Sequence, residues 1–129
     1  MVVDDESALV DLGEELLAGL GYEPAGFDSA EAALSAFIAA PDRFDVLLTD
    51  QVLPGMSGIQ LATRILAIRP QFPILLMSGN LTEPSENHAL AIGVRATLHK
   101  PLTSLELSEQ LAAVFRSSAV VVPRQGEVC

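Results

Sequence analysis

Apolar residues along this chain fall into two alternating rhythms: short unbroken runs, and longer stretches at helical spacing. Val2-Val3 reads as a very short strand caught near its end, followed by the acidic turn Asp4-Asp5-Glu6. Ser7 then stands as a cap for a helix with Leu9, Val10, Leu12, Leu16, Leu17 and Leu20 on its apolar face, stopped at Gly21. Tyr22 to Phe27 is a weak strand, and Pro24 inside it argues for a place near a sheet edge. Ala30 to Ala40, with Ser29 before it and Leu34, Phe37 and Ile38 on one side, predicts a second helix ended by Pro41.

Phe44 to Asp50 is the run around which the rest is arranged. Its Val and Leu residues do not alternate with polar ones, which is how a strand buried on both faces of a parallel sheet reads. Pro54, Gly55, Ser57 and Gly58 turn the chain sharply after it. Ile59 to Ile68 predicts a third helix, Ile74 to Met77 a strand, Leu81 to Asn87 a polar connection, and Ala89 to Ile92 a short helix closed by Gly93. Ala96 to His99 is the last strand, ending on Lys100-Pro101. Thr103 and Glu106 have the spacing of a capping box for a final helix carrying Leu105, Leu107, Leu111, Val114 and Phe115. The periodicity fades from Ser117. Strand and helix alternate five times, which predicts an α/β domain with a parallel sheet and helices on both faces.

Composition narrows the class. The chain has 129 residues, enough for one domain with a real core. No apolar run approaches the roughly 18 residues of a membrane span, and the acidic N-terminal stretch does not resemble a secretory signal. The formal charge of −10 opposes direct contact with nucleic acid, which needs clustered Lys and Arg. The single cysteine, Cys129, cannot form an internal disulfide. These features predict a cytoplasmic protein without membrane insertion or direct nucleic-acid binding.

Chemistry gathers at the carboxyl ends of the predicted strands, where open α/β sheets bind their ligands. Asp4 and Asp5, Asp50, Ser78 and Lys100 stand at four such ends. Carboxylates crowded together repel one another, and a hard divalent cation relieves the conflict. Mg²⁺ is commonly held by one or two carboxylates plus a phosphate. A lysine neutralises phosphoryl oxygens, a hydroxyl hydrogen-bonds one of them, and a carboxylate can itself be the nucleophile. The set therefore predicts phosphoryl transfer.

Val2-Val3-Asp4-Asp5-Glu6, Thr49-Asp50 with Leu53-Pro54-Gly55-Met56-Ser57-Gly58, Met77-Ser78-Gly79 and Lys100-Pro101-Leu102 together closely resemble the receiver domain of two-component response regulators. Each motif is weak alone; all four in order are specific. The resemblance covers residues 1–116 and leaves 117–129 as a C-terminal tail. It implies a flavodoxin-like, doubly wound five-stranded parallel sheet of order 2-1-3-4-5. It makes Asp50 the phosphoacceptor, with Asp5, Asp50 and the backbone carbonyl of Val52 as Mg²⁺ ligands and Asp4 holding the ion through water. Ser78 and Lys100 bind the phosphoryl group, and the Lys100–Pro101 bond is cis. The implied partner is a sensor histidine kinase or a histidine phosphotransfer protein. Phosphorylation-linked homodimerisation stays open.

Two departures accompany the resemblance. Thr97 stands where the family often has an aromatic residue that rotates on phosphorylation, and the first strand is short at its beginning. The wording of Leu53–Leu61 and Arg69–Gly79, with the abrupt start, resembles receivers of hybrid sensor kinases and points to a module cut from a larger protein. Taken singly, the residues have plainer readings: a solvated acidic turn, a turn serine, a surface lysine. His88 and His99 read as structural or exposed. One alternative is a receiver-like interaction module that is never phosphorylated. Another, an aspartyl phosphatase, needs a second acid two residues after the nucleophile, where Val52 stands.

Overall fold

The computed structural model describes residues 1–79, 83–100 and 103–121. In chain order it runs β1 (Val2–Val3), α1 (Ser7–Gly19), β2 (Gly26–Phe27), α2 (Ala30–Ala39), a 3₁₀ turn (Pro41–Arg43), β3 (Leu47–Asp50), α3 (Gly58–Ile68), β4 (Ile74–Ser78), α4 (Glu83–Ile92), β5 (Ala96–His99) and α5 (Ser104–Val121). The five strands form one parallel sheet in the order β2-β1-β3-β4-β5. This is the doubly wound, flavodoxin-like order that the family resemblance implied. It puts β3 and β1 inside and β2 at an edge, as Pro24 suggested.

Side chains alternate across each strand, so consecutive apolar residues feed two separate cores. Val3, Leu47, Ile74 and Leu76 point to one face, where they pack with Ala33 and Phe37 of α2, Leu61 and Ile65 of α3, and Ala89 of α4. Val2, Leu48, Leu75, Met77 and Leu98 point to the other, against Leu17 of α1 and Leu107, Leu111 and Val114 of α5. An unbroken Val/Leu/Ile run is what a strand covered on both sides requires. At the lower end of the first core, Phe37 sits edge-on to Phe72 with centroids 5.0 Å apart and stacks on Phe44 at 6.3 Å.

Several elements differ in extent from the periodicity, each for a local reason. β3 starts at Leu47, not Phe44, because the Phe44 carbonyl accepts a hydrogen bond from the Arg69 guanidinium at 3.0 Å and not from a neighbouring strand. β2 keeps only two of its six expected residues. Tyr22 is drawn off by a hydrogen bond from its N–H to the Leu17 carbonyl and by stacking on Phe115. α1 is entered from Glu6 with no side-chain cap, so Ser7 is its first residue and not its cap. α4 begins at Glu83, well before Ala89, which is buried while Asn87, His88 and Leu90 are exposed. Among the described side chains only Ala89 is buried and Ile92 partly so, which is why the spacing showed only the end of this helix. Thr103 does accept the Glu106 N–H at 3.2 Å, and α5 continues through residue 116 to Val121.

Candidate active site at the carboxyl edge of the sheet

Strand register brings the chemistry together. Val3 lies beside Thr49, Asp50 beside Met77, and Ser78 beside His99, so Asp4, Asp50, Ser78 and Lys100 all emerge at one edge. Asp4 is fully buried and Asp50 is nearly so, whereas Asp5 is exposed. Carboxylate oxygens of Asp4, Asp5 and Asp50 lie within 4.8 Å of one another. The Lys100 ammonium reaches in from β5, 2.9 Å from Asp4 Oδ2 and 3.3 Å from Asp50 Oδ2. The Lys100 N–H also donates to the Ser78 carbonyl at 3.0 Å, tying the ends of β4 and β5 together.

Three carboxylates and one ammonium leave two negative charges in excess. Burial raises the Asp50 pKa above the usual carboxylate range. The Lys100 charge pulls it down, the neighbouring Asp4 pushes it up, and a hydrogen bond from the Val52 backbone N–H lowers it, with a net rise. For Lys100, burial alone would lower the pKa. The hydrogen bond to Asp4 and the two carboxylate charges outweigh burial and hold the ammonium more firmly protonated than a free lysine. The pocket is thus short of positive charge and lined by hard oxygen donors, with one of the three carboxylates facing solvent. That donor set fits a small divalent cation.

The loop that follows Asp50 is fastened at both ends. Gln51 donates its N–H to the Met77 carbonyl and accepts the Gly58 N–H, each at 3.0 Å. Its side-chain Oε1 accepts the Ile59 N–H at 2.9 Å. A full capping box completes the start of α3: Ser57 Oγ accepts from Gln60 N, and Gln60 Oε1 accepts from Ser57 N. Gly58 permits this approach, since a Cβ there would lie 2.3 Å from the Asp50 carbonyl oxygen and 2.8 Å from Leu76 Cδ1. Val52, whose carbonyl the resemblance gives to the cation, is 72 % exposed.

The structure therefore gathers Asp4, Asp5, Asp50 and Lys100 into one cluster, with buried Ser78 one residue from the same edge. His88 and His99 are exposed and not among the clustered groups, and Thr97 is half-buried on β5. The Lys100–Pro101 bond, singled out in the sequence, involves a position outside the described residues. Sequence reasoning passed over Gln51 and named Gly58 and Thr49 only within motifs, without a role; the buried Thr49 hydroxyl donates to the Asp50 carbonyl at 3.0 Å. Gly58 carried a signal as part of the Pro-Gly turn, but nothing in the pattern marked Gln51. Asp4 also does more than expected: its Oδ1 accepts the Glu6 N–H at 3.1 Å and fastens the turn into α1.

Comparison with known proteins agrees with this geometry. Residues 1–112 match the response regulator receiver domain family. The transcriptional regulatory protein FixJ of Bradyrhizobium diazoefficiens is 32% identical over 117 residues, covering 91% of this chain and 56% of its own length. The alkaline phosphatase synthesis transcriptional regulatory protein PhoP of Bacillus subtilis is 28% identical, covering 95% of this chain and 50% of its own. The chain thus spans about half the length of these relatives. Among solved structures, a receiver domain protein from Clostridium thermocellum superposes with a TM-score of 0.89 at 26% identity, covering 94% of this chain and 96% of that one. A CheY-like receiver domain protein from Methanospirillum hungatei gives 0.86 at 26% identity, covering 94% and 95%. With its strand order, its acidic edge and its lysine all accounted for by one family, the chain belongs to the response regulator receiver domains.

Proposed function

We propose that this receiver takes a phosphoryl group from a phosphohistidine onto Asp50, in the presence of Mg²⁺, and so switches a protein-interaction surface. The observation that carries the reading is Lys100 Nζ within 2.9 Å of Asp4 and 3.3 Å of Asp50, beside a third carboxylate at the same sheet edge. Asp5, Asp50 and the Val52 carbonyl would hold the cation, with Asp4 acting through water. When bound, Mg²⁺ supplies positive charge against which phosphoryl oxygens can collect.

The chain's own groups do the rest. Asp50 Oδ attacks phosphorus as the P–N bond to the donor imidazole breaks, and the imidazole leaves with its electron pair. Lys100 neutralises a phosphoryl oxygen, and the Ser78 hydroxyl donates to another. The new dianionic group beside Ser78 and Lys100 supplies the differential contact that biases α4, β5 and α5 between two arrangements. Water attack on phosphorus later returns Asp50 to the carboxylate, and exposed Val52 beside the pocket tunes water access. The donor is a sensor histidine kinase or a histidine phosphotransfer protein. The output belongs to a partner or to a further part of a longer protein, and the acidic charge disfavours direct nucleic-acid contact by this domain.

Incubation with phosphoramidate or acetyl phosphate and Mg²⁺, read by intact mass, tests the proposal. One phosphoryl group should add to the wild type and none to Asp50→Ala or to either protein in EDTA. Equal labelling of Asp50→Ala would refute the assignment.

A further inference from the structure

We infer that Gln51 is a positioning residue: its side chain clasps the 51–58 loop shut and thereby holds the Val52 backbone against the Asp50 carboxylate. The inference deepens the proposed function and rests on it for the role of Val52. An α-helix leaves its first N–H groups without intrahelical partners. At α3 those of Ser57, Gly58, Ile59 and Gln60 are all satisfied, by two separate devices. Ser57 and Gln60 serve each other in the capping box, a purely local arrangement. The other two N–H groups are served by Gln51, eight residues upstream: its carbonyl takes Gly58 N–H and its amide oxygen takes Ile59 N–H.

These two bonds close a ring whose two ends are the phosphoacceptor strand and the helix. Inside that ring lies Val52, whose backbone N–H faces the Asp50 carboxylate. Val52 has little packing of its own, the residue being 72 % exposed. Its backbone position therefore depends on how the loop is tied down, not on burial. At the other end of the clasp Gly58 lies so near Asp50 that a Cβ there would fall 2.3 Å from the Asp50 carbonyl oxygen, so the start of the helix packs closely on the phosphoacceptor. Groups that orient a metal ligand from behind affect affinity although they touch no metal. Ser57 is the natural control, because it caps the same helix without reaching back to the strand.

The experiment compares Gln51→Leu, Gln51→Glu and Ser57→Ala with the wild type. Amide hydrogen exchange of Val52 is followed in EDTA, and Mg²⁺ binding by calorimetry. Gln51→Leu should speed Val52 exchange about fivefold or more and weaken Mg²⁺ binding about tenfold. Gln51→Glu, which keeps an acceptor at the same reach, should restore slow exchange in EDTA. Ser57→Ala should lower thermal stability but leave Val52 exchange and Mg²⁺ affinity near wild type. Unchanged Val52 exchange in Gln51→Leu overturns the inference, as does equal loss of Mg²⁺ affinity in Gln51→Leu and Ser57→Ala. A wild type that binds no Mg²⁺ would instead overturn the proposed function, and with it the purpose assigned to the clasp.

Discussion

Replacing Lys100 by alanine removes the only cation contacting two buried carboxylates among the described residues, and the geometry sets the size of the effect. At an effective dielectric of about 20, contacts of 2.9 and 3.3 Å represent about 6 and about 5 kcal/mol of gross Coulomb attraction. Desolvation of the three groups cancels most of this. What remains measurable is the cost of leaving charges unpaired, about 3–5 kcal/mol for a fully buried pair. The Lys100 side chain is 22 % exposed, so water screens part of it and about 2–4 kcal/mol is expected. Urea unfolding in EDTA at neutral pH measures this directly. The pH dependence adds a second signature.

Asp50 has a raised pKa in the folded protein, so in acid the native state binds its proton before the unfolded chain does. Stability from this group is therefore fully present below the unfolded value of about 3.9 and is lost as pH rises through the folded value. Without Lys100 that upper value climbs, and the window in which acid stabilises the fold widens. Its slope reaches at most about 1.4 kcal/mol per pH unit for one proton. Adding Asp50→Asn to Lys100→Ala should erase the widened window and recover most of the lost stability. A Lys100→Ala protein within about 0.5 kcal/mol of wild type in EDTA, with an unaltered pH profile, would refute the charge argument.

Other perturbations follow from the same geometry. Gly58→Ala drives a methyl group into the Asp50 carbonyl and should cost about 1–3 kcal/mol in urea unfolding while slowing phosphorylation of Asp50; an unchanged midpoint would mean the strand–helix approach is looser than described. Asp50→Asn relieves repulsion with Asp4 and should raise the melting temperature in EDTA while abolishing phosphorylation by phosphoramidate. Mg²⁺ should raise the melting temperature of the wild type, by about 2.7 kcal/mol of stability at a hundredfold excess over its dissociation constant, and Asp5→Asn should blunt that rise. Phe37→Ala empties the aromatic cluster between α2 and the sheet and should cost about 3–5 kcal/mol in urea, with the phosphoryl site on the opposite edge left intact if the protein still folds.

The alternation of apolar runs was enough to determine the architecture, because a strand covered on both faces and a helix covered on one bury different periods of residues. Leu47, Leu48, Ile74, Leu75, Leu76 and Met77 are all buried, and the runs containing them were legible at once. So were Asp4, Asp50 and Lys100, since chemistry at the ends of buried strands has only one edge to meet on. Extents were less legible wherever a distant group competes for a backbone atom: Arg69 takes the Phe44 carbonyl, and the end of α1 takes the Tyr22 N–H. α4 was foreshortened because, among its described side chains, only Ala89 and the half-buried Ile92 reach the core, both in its last turns. Charge balance in the pocket was also beyond the sequence. That Lys100 bridges both Asp4 and Asp50, and that Asp5 faces outward while Asp4 is sealed, depends on which way each strand end leaves the sheet. Gln51 was invisible for the same reason. A glutamine after an aspartate has no periodicity to betray it, and its partner Ile59 becomes a neighbour only once β3 and α3 are packed. Patterning thus determined that the central strands are buried and which strand ends carry chemistry, through the free energy of removing apolar surface from water, although Leu12, Ile38 and Leu105, set on apolar helix faces by their spacing, are exposed. Only the tertiary structure decided which polar atoms meet, because hydrogen bonds and ion pairs act over a few ångströms that no one-dimensional spacing specifies.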